Sequence, residues 1–287
     1  MRRWIVAVAL AGAATFVLAG CGLPAGVDGK IADQWALPPA PQGFTPEAGT
    51  CHTAYAETGY LSSYKPVDCA ETHRTETVYV ATADTVSEPP KHDSPDYVKL
   101  FQTCEAKVNE FLGADWHDGK VWFGLTIPSK EAWTGGAHWY RCELVELEEV
   151  FGDEMNRTGS LRGELAKAGS AVRLGCFSYA SSRTLTPLAF TKKHNAEYVG
   201  SVAMPSFAAV KDKAKMVKAC HQRVAAYAGM KYTSDMKYRV GVFWDPMSVE
   251  EYAAGDRKVR CYAWFDPDTK SKSIKGAGAK ALPIHYA

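Results

Sequence analysis

Residues 93–113 read DSPDYVKLFQTCEAKVNEFLG, and residues 206–229 read SFAAVKDKAKMVKACHQRVAAYAG. Both carry Cys-x3-Val-x2-aromatic-x-Gly, from Cys104 to Gly113 and from Cys220 to Gly229. In the first, Tyr97, Leu100, Phe101, Cys104, Val108, Phe111 and Leu112 recur at the spacing of one helix face. Ser94 or Asp93 can cap that helix, Pro95 suits its first turn and Gly113 can close it. The second stretch predicts a counterpart helix over 206–229.

Outward from these helices the chain repeats itself in order. His73-x2-Glu76-x-Val78 answers to His194-x2-Glu197-x-Val199. PSKEAWTGGAHWYRC (128–142) answers to PMSVEEYAAGDRKVRC (246–261), with an aromatic, a glycine and an arginine at equal distances before the cysteine. Ser160-Leu-Arg-Gly163 has an echo in Ser273-Ile-Lys-Gly276, and Cys51 corresponds to Cys176. Five ordered matches, offset by 113 to 125 residues, imply a duplication.

Each unit predicts roughly β-β-α-β-β. The strand-like runs are 72–83 and 194–204 before the helices, then 121–127 and 239–244, then the segments around Cys142 and Cys261. The expected fold class is α+β, two tandem modules at 49–169 and 170–287, the second ending in a basic tail. Each would be a small antiparallel sheet with one main helix. A module of that size buries only about two-thirds of its unfolded surface, so covalent support helps. Cys104 to Cys142 and Cys220 to Cys261 would each join the helix to the last strand, and Cys51 to Cys69 is the expected third bond. Phe190 stands where Cys69 would recur, which leaves Cys176 as a free thiol.

The N-terminus sets an expected location. Met1-Arg2-Arg3 is followed by an apolar run from Trp4 to Gly20, broken only by Thr15, the shape of an export signal. Leu18-Ala19-Gly20-Cys21 resembles a bacterial lipobox, which implies a signal peptide over 1–20 and a diacylglycerol thioether on Cys21. Multiple acyl chains hold a protein to a membrane far more firmly than one. Residues 21–48 add a Pro/Gly-rich tether after that lipidated cysteine. The expected location is the extracytoplasmic face of the cell membrane, where disulfides persist.

Loss of Arg2 and Arg3 takes the formal charge from +1 to about −1, so nothing steers the chain toward nucleic acid. The acidic run 143–154 and the basic runs 211–218 and 270–280 read as solvated faces and a tail. There is no Gly-x-Ser-x-Gly, His-Glu-x2-His or phosphate-binding glycine loop, so no catalytic residue is assigned. His73 with Glu76, and His194 with Glu197, sit three apart in strand-like sequence, which puts them on opposite faces. Each histidine is expected to bond to backbone, and each glutamate to be exposed or to bridge locally. Zinc at Cys51, His52, Cys69 and His73 lacks a Cys-x2-Cys spacing, and no metal or cofactor is expected.

Taken together, the cysteine four before His-x2-Glu-x-Val, the helix cysteine and the Pro-x4-Trp-x2-Gly before a final cysteine resemble the septum-formation-related domain family of actinobacterial envelope proteins. Two copies would span nearly all of residues 45–282. The resemblance implies an exported, disulfide-supported module linked to cell division, with no known reaction. Departures are Phe190 for a cysteine and His138 where the second copy has Arg257, which completes the family's frequent Gly-x-Arg. The functional expectation is a lipid-anchored lipoprotein that binds an envelope protein or wall polymer through Trp133, Trp139, Tyr252 and Arg257. The alternative is an envelope enzyme, wall glycan hydrolase-like, with acids drawn from both modules about 5 to 9 Å apart.

Overall fold

The computed structural model describes residues 43–83, 87–150, 152–180 and 184–285. The expected signal peptide, Cys21 and most of the expected tether fall on residues 1–42 and lie outside the described residues. In the first half, β1 (Cys51–His52), β2 (Thr58–Gly59) and β3 (Thr75–Thr82) precede α1 (Pro95–Leu112). Then come β4 (Val121–Pro128), the short α2 (Lys130–Thr134) and β5 (Trp139–Glu146). In the second half, β6 (Cys176–Tyr179), β7 (Leu185–Leu188) and β8 (Ala196–Ala203) precede α3 (Phe207–Lys211) and α4 (Lys213–Ala228). They are followed by β9 (Gly241–Trp244), α5 (Val249–Ala254) and β10 (Lys258–Trp264). The class is α+β, two sheets each with a main helix.

Helix α1 has the ends its sequence predicts. Ser94 Oγ accepts from the Tyr97 N–H, Pro95 opens the first turn, and Gly113 closes it at φ 80°. The second helix departs from the single span expected over 206–229. It breaks at Asp212, whose extended backbone ends α3 while its side chain accepts from the Ala214 and Lys215 N–H groups to cap α4. Gly229 repeats the left-handed closure at φ 71°, a conformation that disfavours any side chain.

The sheets have the orders β1-β3-β5-β4-β2 and β7-β6-β8-β10-β9. The expectation of purely antiparallel sheets is corrected in the first half, where Thr58 and Gly59 run parallel to Ile127 and Pro128 along the outer edge of β4. The register of β3 on β5 slips between Thr77 and Tyr79, and that of β8 on β10 between Tyr198 and Gly200. Both bulges fall on the valine that ends the His-x2-Glu-x-Val repeat, Val78 and Val199. Three disulfides link the elements in the expected pairs: Cys51–Cys69, Cys104–Cys142 and Cys220–Cys261. Cys176 is free and buried.

The first core gathers around Phe101, Val108, Leu112, Phe123 and Leu125, the second around Met216, Val224 and Cys261. The chain crosses between them near the boundary. Val172 packs into the first core, while Val150 packs with Phe177 and Tyr262 in the second half. Among the described residues no helix is long and apolar enough to cross a membrane.

Candidate functional site

The repeated His-x2-Glu motif performs a structural task. His73 Nδ1 lies 2.8 Å from the Glu71 carbonyl, and His194 Nδ1 lies 2.9 Å from that of Lys192. The two residues of the second copy do not point apart as strand spacing predicts. His194 precedes the start of β8, and its Nε2 lies 3.9 Å from Glu197. Nor are the glutamates exposed. Glu76 accepts from Ser160 Oγ and the Leu161 N–H at 2.6 and 2.8 Å, and Glu197 accepts from Ser273 Oγ and, at 3.0 Å, the Ile274 N–H. Each carboxylate thus holds the Ser-Leu/Ile segment that follows the last strand. The acidic run 143–154 is likewise not all solvated: Glu143 pairs with Arg141, and Glu146 with Lys120 and Arg157.

The expected aromatic surface does not form. Trp133 and Trp139 are 1 % and 5 % exposed, because their edges fill the first half's packing. Tyr252 and Arg257 come together, the guanidinium 4.0 Å from the ring centroid, but against the second core. Cys51 and Cys69 are spent in a disulfide and present no thiolate for zinc.

A different constellation sits where the two halves meet. Asp115 caps a 3-10 turn over Trp116–Asp118 by accepting from the His117 N–H. This places the His117 ring between Asp115 of the first half, 2.7 Å from Nδ1, and Asp256 of the second, 3.2 Å from Nε2. Burial alone would push His117 down, but the two carboxylates outweigh it and hold the imidazole above its ordinary pKa. Lys258 Nζ sits 2.7 Å from Asp115 and 3.3 Å from Glu105. Glu105, Asp115 and His117 converge like metal ligands, yet this ammonium already supplies the positive charge there. Arg260 donates from Nε to the His117 carbonyl and from Nη2 to those of Gly119 and Val121. Gly255 lets α5 approach α1, since a Cβ there would lie 2.8 Å from Phe101 and φ is +129°.

Above these contacts opens a cleft of about 760 Å³. Trp116 and Trp122 form its wall from the first half, Pro246 and Met247 its wall from the second. Asp245, 7 % exposed, lies at its base 3.5 Å from Arg260. Burial pushes the Asp245 carboxyl up to about 6, against the pull of Arg260 and the Tyr262 hydroxyl. A second hollow of about 400 Å³ continues from the first, sharing Trp116, Trp122, Glu251 and Asp256 and reaching Tyr55 and Tyr97. There burial and Glu57 push Tyr97 up to about 12.

The chain matches the family described as septum formation over residues 48–261, a span that takes in both halves and the whole cleft. The chain belongs to the septum-formation family. The resemblance carried by its cysteines, histidines and glycines therefore holds. No curated protein and no solved structure gives a significant match.

Of the cleft residues, Arg260 stands out in the sequence as a repeated residue before the cysteine, and Trp116 and Trp122 belong to its aromatic set. The counterpart of Arg260, Arg141, turns instead to Glu143, at 2.9 Å, and His52, at 3.2 Å. The others were not signalled, because His117 and Asp256 have no mutual spacing that marks a motif and no matching partner in the other copy.

Proposed function

We propose that this septum-formation family member is a lipid-anchored, extracytoplasmic binding protein that takes its partner in the cleft between the two halves and performs no chemistry there. The observation that carries the binding reading is the commitment of the two aspartates around His117, of which Asp256 lines the cleft. Asp115 and Asp256 are held by His117, Asp115 also by Lys258, so neither is free to work as an acid or base. Three disulfides suit a compartment where thiols are oxidised, in line with the lipobox around Cys21. Cys21→Ser is expected to move the protein from the membrane fraction to the soluble fraction; a variant that stays with membranes sinks the anchor. A tagged copy carrying its own Cys21 is expected to concentrate at division septa, and a uniform envelope signal counts against the division role.

A second reading, an envelope enzyme acting on wall glycans, draws on Asp245, whose raised pKa suits a general acid. It requires another free carboxylate facing Asp245 across the cleft. Loss of wall-lytic activity in Asp245→Asn would favour it over binding.

A further inference from the structure

Resting on the reading of the cleft as a binding site, we infer that it takes a cationic ligand, a lysine-bearing peptide segment, in preference to a neutral glycan. The charge around the opening is one-sided. Glu57, Asp153, Glu154, Glu250 and Glu251 line the two hollows, and none of them makes an ion pair among the described residues. Glu251 closes a capping box with Ser248, which keeps its carboxylate placed at the start of α5. The positive groups of the cleft are committed: Lys258 to Asp115 and Glu105, Arg260 to three backbone carbonyls, His117 to two aspartates. An entering ligand therefore meets unbalanced negative charge, and none of the cations lining the cleft among the described residues is left to receive an anion.

Two buried side chains in the cleft wall point to an occupant. Asp245, nine-tenths buried, has its carboxylate 3.5 Å from Arg260 and beside the Tyr262 hydroxyl, and the Trp116 indole N–H has no hydrogen-bond partner in a residue 7 % exposed. An unpaired buried polar atom costs free energy, so the Trp116 N–H in a cavity wall marks a place where a ligand completes the bonding. A lysine side chain fits the path to Asp245. Its slender methylene stem runs along Trp122, Pro246 and Met247 while its ammonium reaches the carboxylate at the base. The peptide carbonyls next to it are acceptors for an indole N–H. Aromatic faces such as Trp122 attract a cation further.

The test uses the full-length protein in detergent micelles, titrated calorimetrically at low salt with N-acetyl-hexalysine amide and, separately, with chitohexaose. Hexalysine is expected to bind, and Asp245→Asn to weaken it by about ten-fold or more, the usual scale for a charge-assisted bond. Binding is expected to tighten between about pH 5 and 7 in the parent, as the Asp245 carboxylate ionises, and to lose that dependence in Asp245→Asn. The double variant Glu154→Gln/Glu250→Gln, at one half-buried and one exposed position outside the cores, is expected to weaken binding and flatten its salt dependence. Glu71→Gln/Glu88→Gln, outside the cleft, is expected to leave it unchanged. Hexalysine binding that ignores the cleft variants, chitohexaose binding alone, or no binding of either would each overturn the inference. None of these outcomes bears on membrane release of Cys21→Ser or on septal position, which judge the parent reading separately.

Discussion

Two buried histidines give this protein opposite responses to pH. His117 is held above its ordinary pKa, so its contribution is full at and below about pH 6.5 and is lost as pH rises through its folded value. His52 is pulled down to about 4 by burial and by Arg141, so it folds neutral, and stability is lost as pH falls from about 6.5 to 4. Urea midpoints followed from pH 4 to 9 are expected to show a flattened acid limb in His52→Gln and a flattened alkaline limb in His117→Gln. The second variant also removes the shared cation from Asp256, leaving Asp115 with Lys258, and is expected to cost about 3 kcal/mol. If both variants keep the parent's profile, the assignment is wrong. Cys176 offers a sharper test of the duplication. Cys51 pairs across to Val67, two residues before Cys69, and Cys176 pairs with Leu188, two residues before Phe190. Phe190→Cys is therefore expected to close a fourth disulfide, abolishing thiol labelling of the denatured, unreduced protein and adding up to about 3 kcal/mol for a loop of this size. Two labelled thiols in that variant would show that the copies differ here.

At the scale of elements, the segment after each last strand is held to its sheet by one buried glutamate. Gly163 and Gly276 donate their N–H groups to the carbonyls of Phe111 and Tyr227, near the C-terminal ends of α1 and α4, at 2.8 and 2.9 Å. Glu197, fully buried, accepts from Ser273, the Ile274 N–H and the Tyr227 hydroxyl at once. Glu197→Gln places a donor against donors and is expected to cost about 1 to 3 kcal/mol. Limited trypsin digestion is then expected to cut first at Lys270, Lys272 or Lys275, releasing the C-terminal segment. Unchanged protection of those bonds would mean that Ile274 and Leu282, both buried in the second core, hold the segment without the carboxylate.

At the scale of the molecule, the two halves meet through directed polar bonds as much as through apolar contact. Arg260 reaches three carbonyls of the first half, the Tyr198 hydroxyl donates to Asp118 at 2.9 Å, and the His117 clamp spans the same seam. With the cores also exchanging Val150 and Val172, unfolding of the parent is expected to be a single calorimetric transition. Arg260→Ala strips those bonds from carbonyls that remain partly buried, and is expected to lower stability by about 3 kcal/mol and separate the transition into two. One sharp transition in that variant would place the coupling elsewhere in the seam.

The duplication, the α+β class, the helix limits at Ser94 and Gly113 and the disulfide pairs were all legible in the sequence. Each depends on local spacing, capping chemistry or the comparison of one copy with the other. The break at Asp212 was written there too, as a capping side chain inside a helical run. The cleft was not. Apart from Arg260, its polar residues stand at unmatched positions in the two copies, and only the packing of one half on the other brings Asp115 and Asp256 to the same imidazole. Burial decided the rest, turning Trp133, Trp139, Glu76 and Glu197 inward. A side chain's exposure depends on what the remainder of the chain lays over it, which no local pattern records.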